Sequence, residues 1–136
     1  MQFSVNGKTV FAATGGKEFD PARPAMVFLH GAGMDHTVWV LLARWFAHRG
    51  FGVLAVDLPG HGRSTGPGRD TIEGYAQDVC QFLDRLGLER AVLVGHSMGG
   101  AIAQQVALCN PDRVAGLVLI ATGSKLPIHP ALPQRI

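Results

Sequence analysis

A hydroxyl framed by glycines is the first feature with chemical potential. Gly95-His96-Ser97-Met98-Gly99 follows the apolar run Ala91–Val94 and precedes a stretch of small residues. A nucleophile lifted clear of a sheet edge on a very sharp strand-to-helix turn must adopt strained backbone angles, so the residues two before and two after it have to be small. That turn also sets Ser97 and Met98 at a helix N-terminus, where free N–H groups and the helix dipole favour developing negative charge. Ser97 is therefore the candidate nucleophile and the Met98 N–H a candidate donor to the oxyanion of an acyl-transfer intermediate. The five-residue pattern alone is weak and also fits a glycine-rich loop with a capping serine; its place between a strand and a helix makes it specific.

Two other loops carry chemistry-bearing side chains: His30-Gly31-Ala32-Gly33 and Asp57-Leu58-Pro59-Gly60-His61-Gly62. His30, His61 and His96 fall in neighbouring loops, yet none has the short ligand spacing of a zinc motif and no cysteine joins them, so no metal is expected. Trp39 and Trp45 are read as core packing, and Glu73, Asp78 and Asp84 as capping or solvated charges.

The elements that must position these groups follow from hydrophobic spacing. Gln2–Val5 and Lys8–Thr14 alternate around Asn6-Gly7, the strongest short-range hairpin signal. Apolar strands are expected at 25–30, 52–56, 91–94 and 114–121, all buried. Helices are expected at 37–49, with Val38, Leu41, Leu42, Trp45 and Phe46 on the inner face, at 70–86, with Asp70 and Glu73 as a capping box, and at 100–109. Strands and helices in alternation, with continuous apolar strands, imply an α/β domain: a mostly parallel sheet covered on both faces. In such a sheet ligands bind outside the carboxyl ends of the strands, where all three loops lie.

Composition narrows the function classes. The chain has 136 residues, 47% apolar and 16% charged, with 18 glycines, 8 prolines and a net charge of +2. This suits one loop-rich domain and gives no phosphate-tracking surface, so no nucleic-acid partner is expected. Cys80 and Cys109 both sit in apolar helical patterns and read as buried free thiols of a reducing compartment. No basic stretch precedes an apolar block at the N-terminus, and the run Val114–Ala121 is far short of the roughly 20 residues that span a bilayer, so no membrane partner and a cytoplasmic location are expected.

Three segments, FLHGAGMDHTVW, AVDLPGHGRS and LVGHSMGG, resemble the N-terminal half of an α/β-hydrolase-fold enzyme of the esterase, lactonase and cofactor-free haloperoxidase-like group. The resemblance covers nearly the whole chain and implies an α/β-hydrolase fold with an N-terminal β-hairpin, one partial domain over 1–136 whose residues 126–136 resemble the start of a cap region. It implies Ala32 as the second backbone donor of the oxyanion hole, with Gly33 the less favoured choice, and His30, Gly31, Gly33 and His96 as pocket residues. Asp57 is implied to be structural or pocket-lining, and His61 a packing residue of its loop. No cofactor and no metal are implied, and serine at position 97 stands against the dehalogenase and epoxide-hydrolase branches, which use aspartate. The family's triad runs Ser, then Asp or Glu, then His. After Ser97 this chain holds only Asp112, ahead of its strand, and His129, at the implied cap. The expectation is thus a serine hydrolase of a small carboxylic ester, lactone or thioester, acting through an acyl-enzyme on Ser97, with its base and acid outside the chain. The favoured explanation is a piece of a longer hydrolase. The alternatives are a half-domain completed by a second copy through an open sheet edge, and a silent binding protein.

Overall fold

A computed structural model describes residues 1–122. Residues 126–136 and His129, expected at a cap, lie outside the described residues.

Gln2–Val5 (β1) and Lys8–Ala13 (β2) pair antiparallel with Val5 opposite Lys8. The turn residues Asn6 and Gly7 take φ of 51° and 78°, the primed-turn geometry that matches strand twist. β2 pairs antiparallel with Gly52–Val56 (β4), and from there Ala25–Leu29 (β3), Ala91–His96 (β5) and Val114–Ile120 (β6) continue in parallel. The order is β1-β2-β4-β3-β5-β6. β3 and β4 are buried at every position because helices cover both faces. Val40–Ala47 (α1) packs on Met26, Phe28, Val53 and Val94; Ile72–Arg85 (α2) and Met98–Cys109 (α3) pack on Val27, Leu29, Leu54 and Leu93.

Several expectations need correction. The helix expected at 37–49 is a 3-10 turn over His36–Trp39 followed by the shorter α1. Its buried side is Trp39, Ala43 and Ala47 with Phe46 partly buried against the same core, while Val38, Leu42 and Trp45 are exposed and Leu41 is 83% exposed. Small side chains are required there because Gly15 lies directly against Ala43 and Ala47. Trp45 is half-exposed, with the Arg49 guanidinium 3.7 Å over its ring. β6 is not a buried strand: Leu117, Val118, Leu119 and Ile120 are all exposed, and β6 is the edge of the sheet among the described residues. Cys109 is exposed and Cys80 only half-buried, where burial pushes its thiol pKa up. Among the described residues no helix is long and apolar enough to cross a membrane.

The two helices beside the site also start differently. α3 begins at Met98, two residues earlier than expected, because the turn at Ser97 feeds straight into it. α2 is capped by Thr71, whose Oγ1 accepts from Gly74 N at 3.0 Å; Glu73 therefore sits too early to complete a box with Asp70. The apolar face Tyr75, Ala76, Val79, Phe82 and Leu83 is buried as spaced. Asp78 is not a solvated charge: it is buried and held by Arg69 Nε and Nη2 at 2.9 and 2.7 Å. That bidentate pair ties the long loop after β4 to α2. Thr71→Ala should lower stability by about 1 kcal/mol in urea unfolding; an unchanged midpoint would mean that the cap is idle.

Candidate active site

Three loops converge at the carboxyl ends of β3, β4 and β5. The sharpest is at Ser97, whose φ of 53° and ψ of −115° is a conformation that side chains other than glycine rarely take, at a cost of about 1–3 kcal/mol. Its surroundings over-determine it. A Cβ on Gly95 would run into Gly99 and Gly100, one on Gly99 into the Leu29 and His30 carbonyls, and one on Gly100 into Thr122. Ser97 N donates to Ile120 O at 3.1 Å, while Gly100 N, Ala101 N and Thr122 Oγ1 donate to Ser97 O at 2.9, 3.2 and 3.0 Å. The end of β6 is thus the second support of the turn, a contribution from Thr122 that the sequence reading missed.

The loop after β3 lies against this turn. Gly31 faces His96, with the imidazole Nδ1 and the carbonyl oxygen each 3.5 Å from where a Cβ would stand. His96 Nδ1 is buried and without a hydrogen-bond partner among the described residues. The Ala32 and Met98 N–H groups donate to no backbone acceptor among the described residues. Gly33 takes φ of 71° with open space around it. His30 is fully buried, and burial lowers its pKa below the ordinary imidazole value. Leu58 N donates to His30 Nε2 at 3.1 Å, and His30 Nδ1 donates to Gly31 O at 2.7 Å.

Asp57 organises the third loop. Its buried carboxylate accepts from His36 N, His36 Nδ1 and Arg63 N at 2.7, 2.9 and 2.9 Å. Gly62 is dictated by the same group, since a Cβ there would collide with the carboxylate. Ser64 Oγ donates to Asp57 O at 2.6 Å and accepts from Phe11 N at 3.0 Å, stitching the loop to β2. Asp57 follows β4 and Ser97 follows β5, with β3 between them, a separation of about 10 Å at ordinary strand spacing. His61 packs between His30 and Tyr75, tilted against the first and edge-on to the second, at centroid distances of 4.9 and 6.3 Å. Asp35, His36 and Asp57 bring ligand-type atoms within 4.8 Å of one another. They are engaged with one another and with the chain: Asp35 Oδ1 accepts from Thr37 N and Thr37 Oγ1 at 2.9 and 2.6 Å, which holds the Asp35 carboxyl below its usual pKa. No spacing rule would have found this set, because Asp57 reaches it only through the fold.

A strained serine on a strand-to-helix turn, beside a glycine-rich loop, invites comparison with known proteins. The family described as alpha/beta hydrolase fold matches residues 24–135. The chain belongs to this family. It is 40% identical over 101 residues to an uncharacterized protein of Mycobacterium tuberculosis, covering 74% of this chain and 29% of that one. It is 40% identical over 97 residues to the pimeloyl-[acyl-carrier protein] methyl ester esterase of Klebsiella pneumoniae, covering 71% and 36%. The crystal structure of the enol-lactonase from Burkholderia xenovorans LB400 superposes with a TM-score of 0.81 at 29% identity, over 92% of this chain and 48% of that one. The chain thus spans about a third of the length of these curated relatives. Its relatives with a described activity include an esterase and a lactonase.

In this alpha/beta-hydrolase-fold chain the strain at Ser97 is measurable. Ser97→Gly places the residue type that tolerates its φ at that position, and should raise stability by about 1 kcal/mol in urea unfolding. A loss of stability would show that the turn is relaxed in solution.

Proposed function

We propose that the chain carries the nucleophile half of a serine hydrolase that cleaves a small carboxylic ester, lactone or thioester. In this reading Ser97 Oγ attacks the substrate carbonyl, and the Ala32 and Met98 N–H groups hold the resulting oxyanion. The tetrahedral intermediate collapses to an acyl-enzyme as the leaving group departs, and water then releases the acid. The observation that carries the reading is the positive-φ serine beside two amides on adjacent loops that donate to no backbone acceptor among the described residues. His30, Gly31, Gly33 and His96 would line the pocket. The proton of Ser97 passes to a histidine base oriented by a carboxylate, both supplied from outside residues 1–122. Of the described histidines near the turn, His30 has both nitrogens engaged, His36 is committed to Asp57 two strands away, and His96 turns its buried Nδ1 to Gly31. The esterase and enol-lactonase among the relatives support an acyl substrate, and a serine in place of an aspartate nucleophile supports it further.

The second reading is a half-domain that a further copy completes through the exposed β6 edge, since an unpaired apolar strand is a template for another chain. A short activated ester separates the two. Incubated with p-nitrophenyl acetate, the 136-residue chain should gain one acetyl group on Ser97 by intact-mass analysis, turning over about a thousandfold or more slower than a complete triad. Equal acetylation of Ser97→Ala would overturn the nucleophile assignment. A serine-dependent rate that climbs with dimer concentration would favour completion by a second copy.

A further inference from the structure

The groups around Ser97 leave one buried titratable side chain without a role. His30 sits at the end of β3, fully buried, with both ring nitrogens engaged. The partners fix its tautomer. Nε2 accepts the Leu58 N–H and must hold a lone pair, whereas Nδ1 lies 2.7 Å from a carbonyl oxygen and must carry the proton. We propose that His30 is a positioning residue for the oxyanion hole: as the neutral Nδ1–H tautomer it clamps the Gly31–Ala32 peptide so that the Ala32 N–H faces the nucleophile turn. The inference rests on the reading of Ala32 as an oxyanion donor.

Peptide geometry supplies the direction. The cis peptide bond among the described residues is Gly66–Pro67, so Gly31–Ala32 is trans, and a trans unit points its C=O and N–H to opposite sides. The His30 ring reaches toward the exit of β4, where Leu58 anchors it, and draws the Gly31 carbonyl to that side. Met34 N donates to the same oxygen at 3.2 Å and holds it further. In the sheet β3 lies between β4 and β5. A carbonyl drawn toward β4 therefore sends the Ala32 N–H toward β5 and Ser97. A Cβ on Gly31 would meet Met34 Sδ at 3.3 Å and His96 at 3.5 Å, so the missing side chain lets the loop lie close against the nucleophile turn.

The Leu58 anchor holds only while Nε2 is unprotonated, and His30 is surrounded accordingly. Burial, the largest influence, and the facing His61 ring disfavour a charge there; the bond to Gly31 O and the Asp57 and Asp35 carboxylates favour one. Its pKa is therefore lowered in the folded chain. A lowered imidazole pKa contributes stability that is fully present above the unfolded value of about 6.5 and is lost as the pH falls through the folded value. Acid should release the Leu58 contact, while the Nδ1–H bond to Gly31 O persists in the imidazolium.

Two substitutions separate the nitrogens. His30→Asn places an amide donor near the Nδ1 position and keeps a grip on Gly31, whereas His30→Gln reaches the Nε2 position and gives up that grip. The probe is phenylboronic acid, which forms a B–O bond to a serine oxygen as a tetrahedral boronate and releases the hydroxyl proton to solvent. In the ¹⁵N-labelled full chain, long-range ¹H–¹⁵N spectra at neutral pH should place the His30 proton on Nδ1. The Ala32 amide resonance should shift in His30→Gln and hold its place in His30→Asn. Boronate affinity should fall about tenfold in the Gln variant, a fraction of what deleting an oxyanion donor costs, and by threefold or less in the Asn variant. A proton on Nε2, or an Ala32 amide that moves equally in both variants, overturns the clamp. If the unsubstituted chain binds no boronate while the tautomer and the Ala32 shift are as expected, the Ser97 reading falls and the clamp on the peptide stands.

Discussion

The site depends on one backbone conformation that the chain would not choose. Ser97 is held at positive φ by contacts from three directions: the glycines on either side of it, the backbone of β3 beneath Gly99, and the end of β6. None of these contacts uses a large or charged side chain. The glycines at 95, 99 and 100 matter for the volume they leave empty, because every Cβ there would occupy space already filled by main chain or by Thr122. Close packing of backbone on backbone is what allows a strained residue to persist.

Around that fixed point the loops are braced against one another. His30 links the exit of β3 to the exit of β4, Asp57 links the exit of β4 to the turn before α1, and Ser64 links the same loop to β2. Each brace is a buried or half-buried polar group with its partners satisfied, the arrangement in which low dielectric strengthens a hydrogen bond rather than penalising it. Oriented amides held this way need little rearrangement when charge develops before them. Arg69 on Asp78 extends the same logic to α2, where a bidentate ion pair fastens the far end of the loop.

The order of strands and helices, the Asn6-Gly7 hairpin and the strand–turn–helix at Ser97 were legible in the sequence, because alternation, apolar runs and glycine spacing are local properties. The burial of α2 followed from its period for the same reason. α1 was misread because periodicity rewards large apolar residues, whereas close approach to Gly15 selected Ala43 and Ala47 for the inner side. Asp78 was taken for a solvated charge because its partner Arg69 lies outside the helix that carries it. The Asp35–His36–Asp57 group and the support from Thr122 share that difficulty: each joins segments that meet only through the sheet order. Sequence spacing reveals which groups share a helix face or a turn, and long-range hydrogen bonds lie beyond it.

The tie between Ser97 and the end of β6 makes the elbow sensitive to a distant segment. Ile120 and Thr122 accept and donate the bonds that hold the serine backbone, yet they follow it in the chain by more than twenty residues. The motif Gly95–Gly99 is local in the chain, whereas part of what holds it is not. A change at the far end of β6 therefore reaches the serine through bonds to its main chain alone, without touching any residue of the motif itself.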